Sequence, residues 1–385
     1  MKFLGIEEDE LRQKGALNTA KEIASQPDLW HKTWLKAEKE SVRFNEFLTS
    51  NLSGIQRIIL TGAGTSAFIG LSLRGYYQKV SGRLTDIIPT TSLVSHPKDY
   101  FLRDIPTCMI SFARSGNSPE SVAAVKLADQ MIDKCYHIFI TCDASGQLAN
   151  FRTKLPSFVF LMPEETNDQG LAMTVSYSSM LLAALLLGEI NLIHKNRKYV
   201  DTLISYGKQF LAHQSEAIKS VANTDFKRAI FLGSGPLYGV ATESHLKLQE
   251  LTDGHIICKN DSFLGFRHGP KAVTNDTALV VYFLSNDNYV RRYETDLIAS
   301  MAKGQRAMLQ ISVSETSFTG YGIDRYFCFN GEEAVLPEEY LSVAAILPSQ
   351  LLGFYKSLAL GLSPDYPSKS GAISRVVEGV NIYEF

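Results

Sequence analysis

"RIILTGAGTSAFIG", Arg57 to Gly70, reads as an apolar strand, a glycine turn and the start of a helix. Gly62, Gly64 and Ala67 fit the G-x-G-x-x-G/A spacing of a dinucleotide-binding turn. Such a turn needs an acidic residue about 20 positions later, at the end of the second strand, to hold ribose hydroxyls. The next apolar run, "IIPTT", ends in Thr90 and Thr91, with Asp86 before it, so the ribose anchor is missing. Thr65 and Ser66 instead put two hydroxyls at the mouth of the helix, next to Gly64. Hydroxyls with free backbone N–H groups at a helix N-terminus suit a phosphate or a sugar hydroxyl.

The neighbours of this turn set the fold class. Short apolar runs alternate with helical stretches from Gln56 onward, the mark of an α/β parallel sheet. "RIILTG", "IIPTT", "TCMISFA", "YHIFITC" and "SFVFLMP" are the expected strands, with "SPESVAAVKLADQMI" and "MTVSYSSMLLAALLL" as helices. The pattern then recurs. "RAIFLGSGPLYGVATESHLKL" repeats the strand, Gly-x-Gly turn and helix, and "ALVVYFLSNDNYVRRYETDLIASMA" echoes "CMISFARSGNSPESVAAVKLADQM". Matching order and spacing indicate an internal duplication. The expected organisation is an N-terminal helical segment (1–50), two α/β domains (51–200 and 201–365) and an irregular tail (366–385) that closes over the active site.

Composition narrows the function. The chain has 385 residues, 45 % hydrophobic and 20 % charged, enough for two domains with their own cores. A net charge of −2 argues against a nucleic-acid partner held by bulk electrostatics. The five cysteines form no C-x-x-C pair, which points away from zinc knuckles and disulfide frameworks. "MKFLGIEEDELRQKG" lacks the apolar core of a secretion signal, and "GLAMTVSYSSMLLAALLLGEI" reads as a buried core helix. A cytoplasmic location without membrane contact is expected.

Three more stretches carry chemistry. In "SFARSGNSPES", Arg114, Ser115, Asn117 and Ser118 collect a cation, hydroxyls and an amide at one helix start. Capping accounts for Ser118 alone; one dianionic phosphate would use them all. In "ATESHLKLQELTDGH", Glu243, Lys247 and Glu250 share one helical face. By spacing alone this face reads as a solvated surface with a Glu-to-Lys pair. "GFRHGPKAV" places His268 in a turn, and none of the eight histidines has metal-site spacing.

Taken together, "LTGAGTSAFIG", "SFARSGNSPESVAAV", "LMPEETNDQGLAMT", "FRHGPK" and "SGAISRVVEGV" resemble the sugar isomerase (SIS) domain family, in particular its AgaS-type branch of amino-sugar proteins. The resemblance runs from about Trp30 to the C-terminus. It implies two tandem SIS domains, each a flavodoxin-like three-layer sandwich, and a sugar phosphate as substrate. In this family the glycine turn and the serine loop bind the phosphate, which the resemblance carries onto Gly64, Thr65, Ser66, Arg114, Ser115, Asn117 and Ser118. It assigns proton transfer between C1 and C2 to Glu250, with Lys247 beside it. It assigns ring opening to His268, reaching in from a neighbouring subunit, so a homodimer or larger homo-oligomer is implied. No metal or organic cofactor is required. One feature departs: relatives that make glucosamine 6-phosphate place a tail lysine near the substrate carbonyl, whereas this chain reads "SGAIS", with Lys369 out of register.

The resemblance implies an isomerising deaminase that converts galactosamine 6-phosphate to tagatose 6-phosphate and ammonia. A plain aldose–ketose isomerase uses the same glutamate and is the nearest alternative. A non-catalytic sugar-phosphate sensor needs neither Glu250 nor His268. A dehydrogenase rests on the glycine turn alone.

Overall fold

The computed structural model describes all residues except Thr319, Tyr321 and Glu378. The last of these lies in the "SGAISRVVEGV" stretch, so that part of the tail reading falls outside the described residues. The chain divides into two compact units, each built on one parallel sheet. One comprises residues 28–168, 175–201 and 373–385; the other comprises 1–27, 169–174 and 202–372. Helix α1 (Leu17–Asn51) supplies residues to both, changing over after Pro27.

The first sheet holds β1 (Arg57–Thr61), β2 (Leu84–Ile87), β3 (Thr107–Ala113), β4 (Cys135–Thr141) and β5 (Ser157–Leu161), in the order β2-β1-β3-β4-β5. The second holds β6 (Arg228–Leu232), β7 (Ile257–Asp261), β8 (Ala278–Phe283), β9 (Leu309–Thr316) and β10 (Arg325–Gly331), in the order β7-β6-β8-β9-β10. All pairings within both sheets are parallel. Each sheet therefore has the 2-1-3-4-5 order of a flavodoxin-like fold. In each, the chain reverses direction across the sheet between the first and third strands. Ligands of open α/β sheets bind at that switch point, outside the carboxyl ends of the strands.

The central strands are continuous apolar runs because helices cover both faces. β3 is buried at every position, and so is β8. Around the first sheet, Ile59, Met109 and Phe139 pack against Val125 and Ala128 of helix α3 (Pro119–Met131). Around the second, Ile230, Val280 and Tyr282 pack against Leu297 and Ile298 of helix α6 (Asn288–Ala302). Helix α2 (Thr65–Ser81) follows β1, and helix α4 (Val175–Gly188) is buried from Val175 to Leu187, as expected of a core helix. Among the described residues no single helix is long and apolar enough to cross a membrane; α4 with Ile190–His213 would do so only as a pair bent by 89°. In the unit of the second sheet, the buried Asp365 carboxylate accepts the amides of Asn18 and Thr19 and the Thr19 hydroxyl, fixing the start of α1.

One expected strand is displaced. The strand is Leu84–Ile87, and Thr90–Ser95 is helical. Pro89, with φ of −57°, stands at the helix N-cap and has no N–H for a ladder. Asp86 is thus inside the strand, where its carboxylate accepts from Arg57 Nε at 2.6 Å. Arg57 is the first residue of β1, at the end opposite the glycine turn, so this carboxylate is engaged away from the ribose-binding position. Strands β7, β9 and β10 and the short antiparallel pair Lys2–Phe3 with Ile6–Glu7 were not expected from the sequence pattern.

Candidate active site

Two loops meet at the switch point of the first sheet, one after β1 and one after β3. In the first, a Cβ on Gly62 would lie 2.6 Å from the backbone carbon of Ser66, so only glycine lets the turn close onto the helix. Gly64 caps α2 with φ of +54°. Among the described residues, no atom comes within 4 Å of the position a Cβ would take there. Thr65 and Ser66 follow as the first helical residues, both buried. In the second loop Arg114 is 7 % exposed, and its guanidinium donates to the main-chain oxygen of Arg375. The Ser115 hydroxyl accepts the Asn117 amide at 3.3 Å, and the Asn117 side-chain oxygen accepts the Gln147 amide at 3.0 Å. The hydroxyls of Ser118 and Ser121 lie 2.6 Å apart, and Pro119 opens α3. The expected phosphate-binding residues of both loops thus stand at two adjacent helix N-termini, with the Arg114 cation beside them.

The tail adds a residue that sequence reading missed. Arg375 donates to the Asp168 main-chain oxygen (Nε, 2.8 Å) and to the Asn167 side-chain oxygen at 2.9 Å. Its own main-chain oxygen takes Arg114. The segment around Arg375 is thereby tied to the serine loop. Lys369 is exposed.

In the other unit, helix α5 (Pro236–Leu251) carries Glu243, Lys247 and Glu250. The expected solvated face is overturned here. Glu243 and Lys247 are fully buried, and Glu250 keeps 23 % of its side chain exposed. Lys247 Nζ lies 2.5 Å from Glu250 Oε2 and 3.3 Å from Glu243 Oε1. Burial by itself would push the lysine ammonium down, but the carboxylates of Glu243 and Glu250 hold it above its ordinary value. The result is a fixed positive charge in a dry environment, with one carboxylate beneath it and a second at the rim. Helix α5 is covered because helix α8 (Leu347–Ala359) packs on it; a Cβ on Gly353 would lie 3.3 Å from the Lys247 main-chain oxygen. Packing by a helix so distant in sequence leaves no record in the spacing along α5.

His268 sits on an exposed turn between the helical turns Phe263–Phe266 and Pro270–Val273. Among the described residues, no group of three or more His, Cys, Asp or Glu is arranged to hold a metal ion.

The SIS domain profile matches residues 51–190. Over 382 residues the chain is 39 % identical to D-galactosamine-6-phosphate deaminase AgaS of Shewanella sp. (strain ANA-3), covering 98 % of this chain and 94 % of that one. The chain belongs to the SIS domain family, in its AgaS-type branch. A solved structure from Clostridium novyi NT, 38 % identical, matches all of both chains with a TM-score of 0.96. The tagatose-6-phosphate ketose/aldose isomerase of Escherichia coli, 35 % identical, matches 96 % of both chains with a TM-score of 0.85. The SIS chain is thus an α/β protein of two tandem sheets, related over nearly its whole length to enzymes of sugar-phosphate metabolism.

Proposed function

We propose that the chain is an isomerising deaminase that converts galactosamine 6-phosphate and water to tagatose 6-phosphate and ammonia. The observation that carries this reading is the buried ammonium of Lys247 between Glu243 and the partly exposed Glu250. A carboxylate held at a rim by a buried cation is positioned as a general base. The sugar phosphate is anchored by the Gly64–Ser66 turn and by Arg114, Ser115, Asn117 and Ser118. His268, from a neighbouring subunit of a homo-oligomer, moves the proton that opens the ring. Glu250 then removes the C2 proton of the open-chain 2-amino aldose and, after exchange of its carboxyl proton with solvent, delivers a proton to C1. The enolamine between these steps becomes a 2-imine, and water adds to it, releasing ammonia and leaving the C2 ketone. No redox partner enters this balance. The similarity to D-galactosamine-6-phosphate deaminase AgaS supports this direction, and the cytoplasm is the site of action in this reading.

Stoichiometry tests the proposal. With galactosamine 6-phosphate in deuterated water, one ammonia should appear per ketose phosphate, with deuterium at C1. Similarity to the tagatose-6-phosphate ketose/aldose isomerase of Escherichia coli favours one alternative, isomerisation without nitrogen release. Rapid interconversion of galactose and tagatose 6-phosphates, with no ammonia from the amino sugar, would establish that alternative instead. Mixing inactive Glu250→Gln and His268→Ala chains under conditions of proven subunit exchange should restore activity; no recovery would place His268 in its own chain's site.

A further inference from the structure

The second sheet repeats the phosphate-binding architecture of the first, yet its switch point is already filled. Gly235 caps α5 with φ of 54° and ψ of −130°, against 54° and −128° for Gly64. A Cβ on Gly233 would strike the Leu237 main chain as one on Gly62 would strike Ser66. The turn after β8, Ser285-Asn286-Asp287, opens α6 as Ser115–Ser118 opens α3. Helix α7 (Glu338–Ala345) follows the fifth strand of the second sheet and begins with Glu338, where α4 of the first repeat begins with Val175. The Glu338 carboxylate spans both loops. Oε1 accepts the Asn286 amide at 3.1 Å, and Oε2 lies 3.6 Å from where a Cβ on Gly235 would stand. The surroundings are acidic. Glu294 is fully buried and accepts the Ser285 amide at 2.9 Å, while its Oε1 has no hydrogen-bond partner among the described residues. Asp287 caps α6 where the first repeat has Ser118. Arg291, 3.7 Å from Glu294, is the cation facing this group.

We propose that Glu338 occupies the anion cradle of the second repeat in place of a phosphate, and thereby positions helix α5 for the proton-transfer role of Glu250. The cradle retains the backbone geometry that receives an anion at two helix N-termini, and an intrachain carboxylate satisfies it. Each chain then binds one phosphate, at the first repeat. Glu338 is a positioning residue: it touches the start of the helix whose last turn carries Glu250. The positioning role rests on the proposed function; the occupied cradle does not.

Two measurements test this. Equilibrium dialysis of inorganic phosphate against the wild-type chain should give one site per chain, lost in the Ser115→Ala, Ser118→Ala double variant. A site that survives the double variant overturns the proposal. Glu338→Ala should lower kcat by roughly tenfold or more through misplacement of α5, with little change in KM. Acetate, the acid the truncation removes, should restore both kcat and Tm. Glu338→Gln keeps an oxygen for the Asn286 amide and should stay close to wild type. Wild-type activity and stability in Glu338→Ala, or a loss that acetate does not move, overturns the proposal. If Glu338→Ala does not fold alone, refolding in acetate is the readout, and failure there also counts against it. Recovery of Tm by acetate does not involve substrate, so it separates a wrong reaction from a wrong account of the cradle.

Discussion

The two switch points share a backbone and differ in charge. Both have a Gly-x-Gly turn with matching φ and ψ and a polar turn opening the next helix. The first is lined by Arg114 and hydroxyls; the second by Glu294, Asp287 and Glu338, with Arg291 opposite. A duplicated fold gives two equivalent anion cradles. Side-chain charge decides which is offered to a ligand and which is sealed, and the sealed copy carries the helix with Glu243, Lys247 and Glu250. In the proposed function, phosphate recognition is assigned to the first repeat and proton transfer to the second.

The sharpest break of that division is Glu250→Gln. It should lower kcat by roughly 10²–10⁴-fold, as for a lost general base, with KM nearly unchanged. A rise in KM with kcat preserved would move Glu250 out of the proton-transfer role. Next is Lys247→Met, which leaves Glu243 buried without its ammonium. Removal of one partner from a buried ion pair costs about 3–5 kcal/mol, so chemical denaturation should show a loss of that size. A loss below about 1 kcal/mol would mean that Glu243 simply takes up a proton.

The hydroxyls of the first cradle should act on binding instead. Ser115→Ala and Ser118→Ala each remove a hydrogen bond to an anion, worth about 1.5–3 kcal/mol, and should appear in KM. Unphosphorylated galactosamine should be a poor substrate, and equal turnover without the phosphate would undo the assignment.

Paired glycine variants compare the repeats directly. Gly64→Ala and Gly235→Ala both force a side chain into positive φ and should cost about 1–3 kcal/mol each. Only Gly64→Ala should also raise KM, because its Cβ enters the open cradle. The smallest effect is a slope. Burial raises the Glu294 carboxyl from 4.5 to about 7, against the Ser285 amide and Arg291, which favour its charged form. The folded chain therefore keeps a proton that the unfolded chain releases, and this contribution to stability falls as pH rises from about 4.5 to 7. Glu294→Gln should flatten the dependence of Tm on pH in that window; an unchanged slope would assign it to other groups.

The sequence by itself determined the α/β alternation, the duplication, both glycine turns and the serine loop. These are local: glycine is required where a Cβ would meet the next turn of backbone, and apolar runs mark strands covered on both faces. It also placed Glu243, Lys247 and Glu250 on one helical face. Only the tertiary structure decided that this face is buried, because the elements packed on α5, among them α8 about a hundred residues later, are remote in sequence. The tie between Arg375 and Arg114 and the seating of Glu338 against Asn286 are likewise long-range. One trace of the sealed cradle was legible: Asp287 stands where the first repeat has Ser118, an acid at an expected anion site. Glu338 itself left none. A glutamate opening a helix after a proline is ordinary in sequence, and packing alone brings its carboxylate to the amide of a turn fifty-two residues earlier.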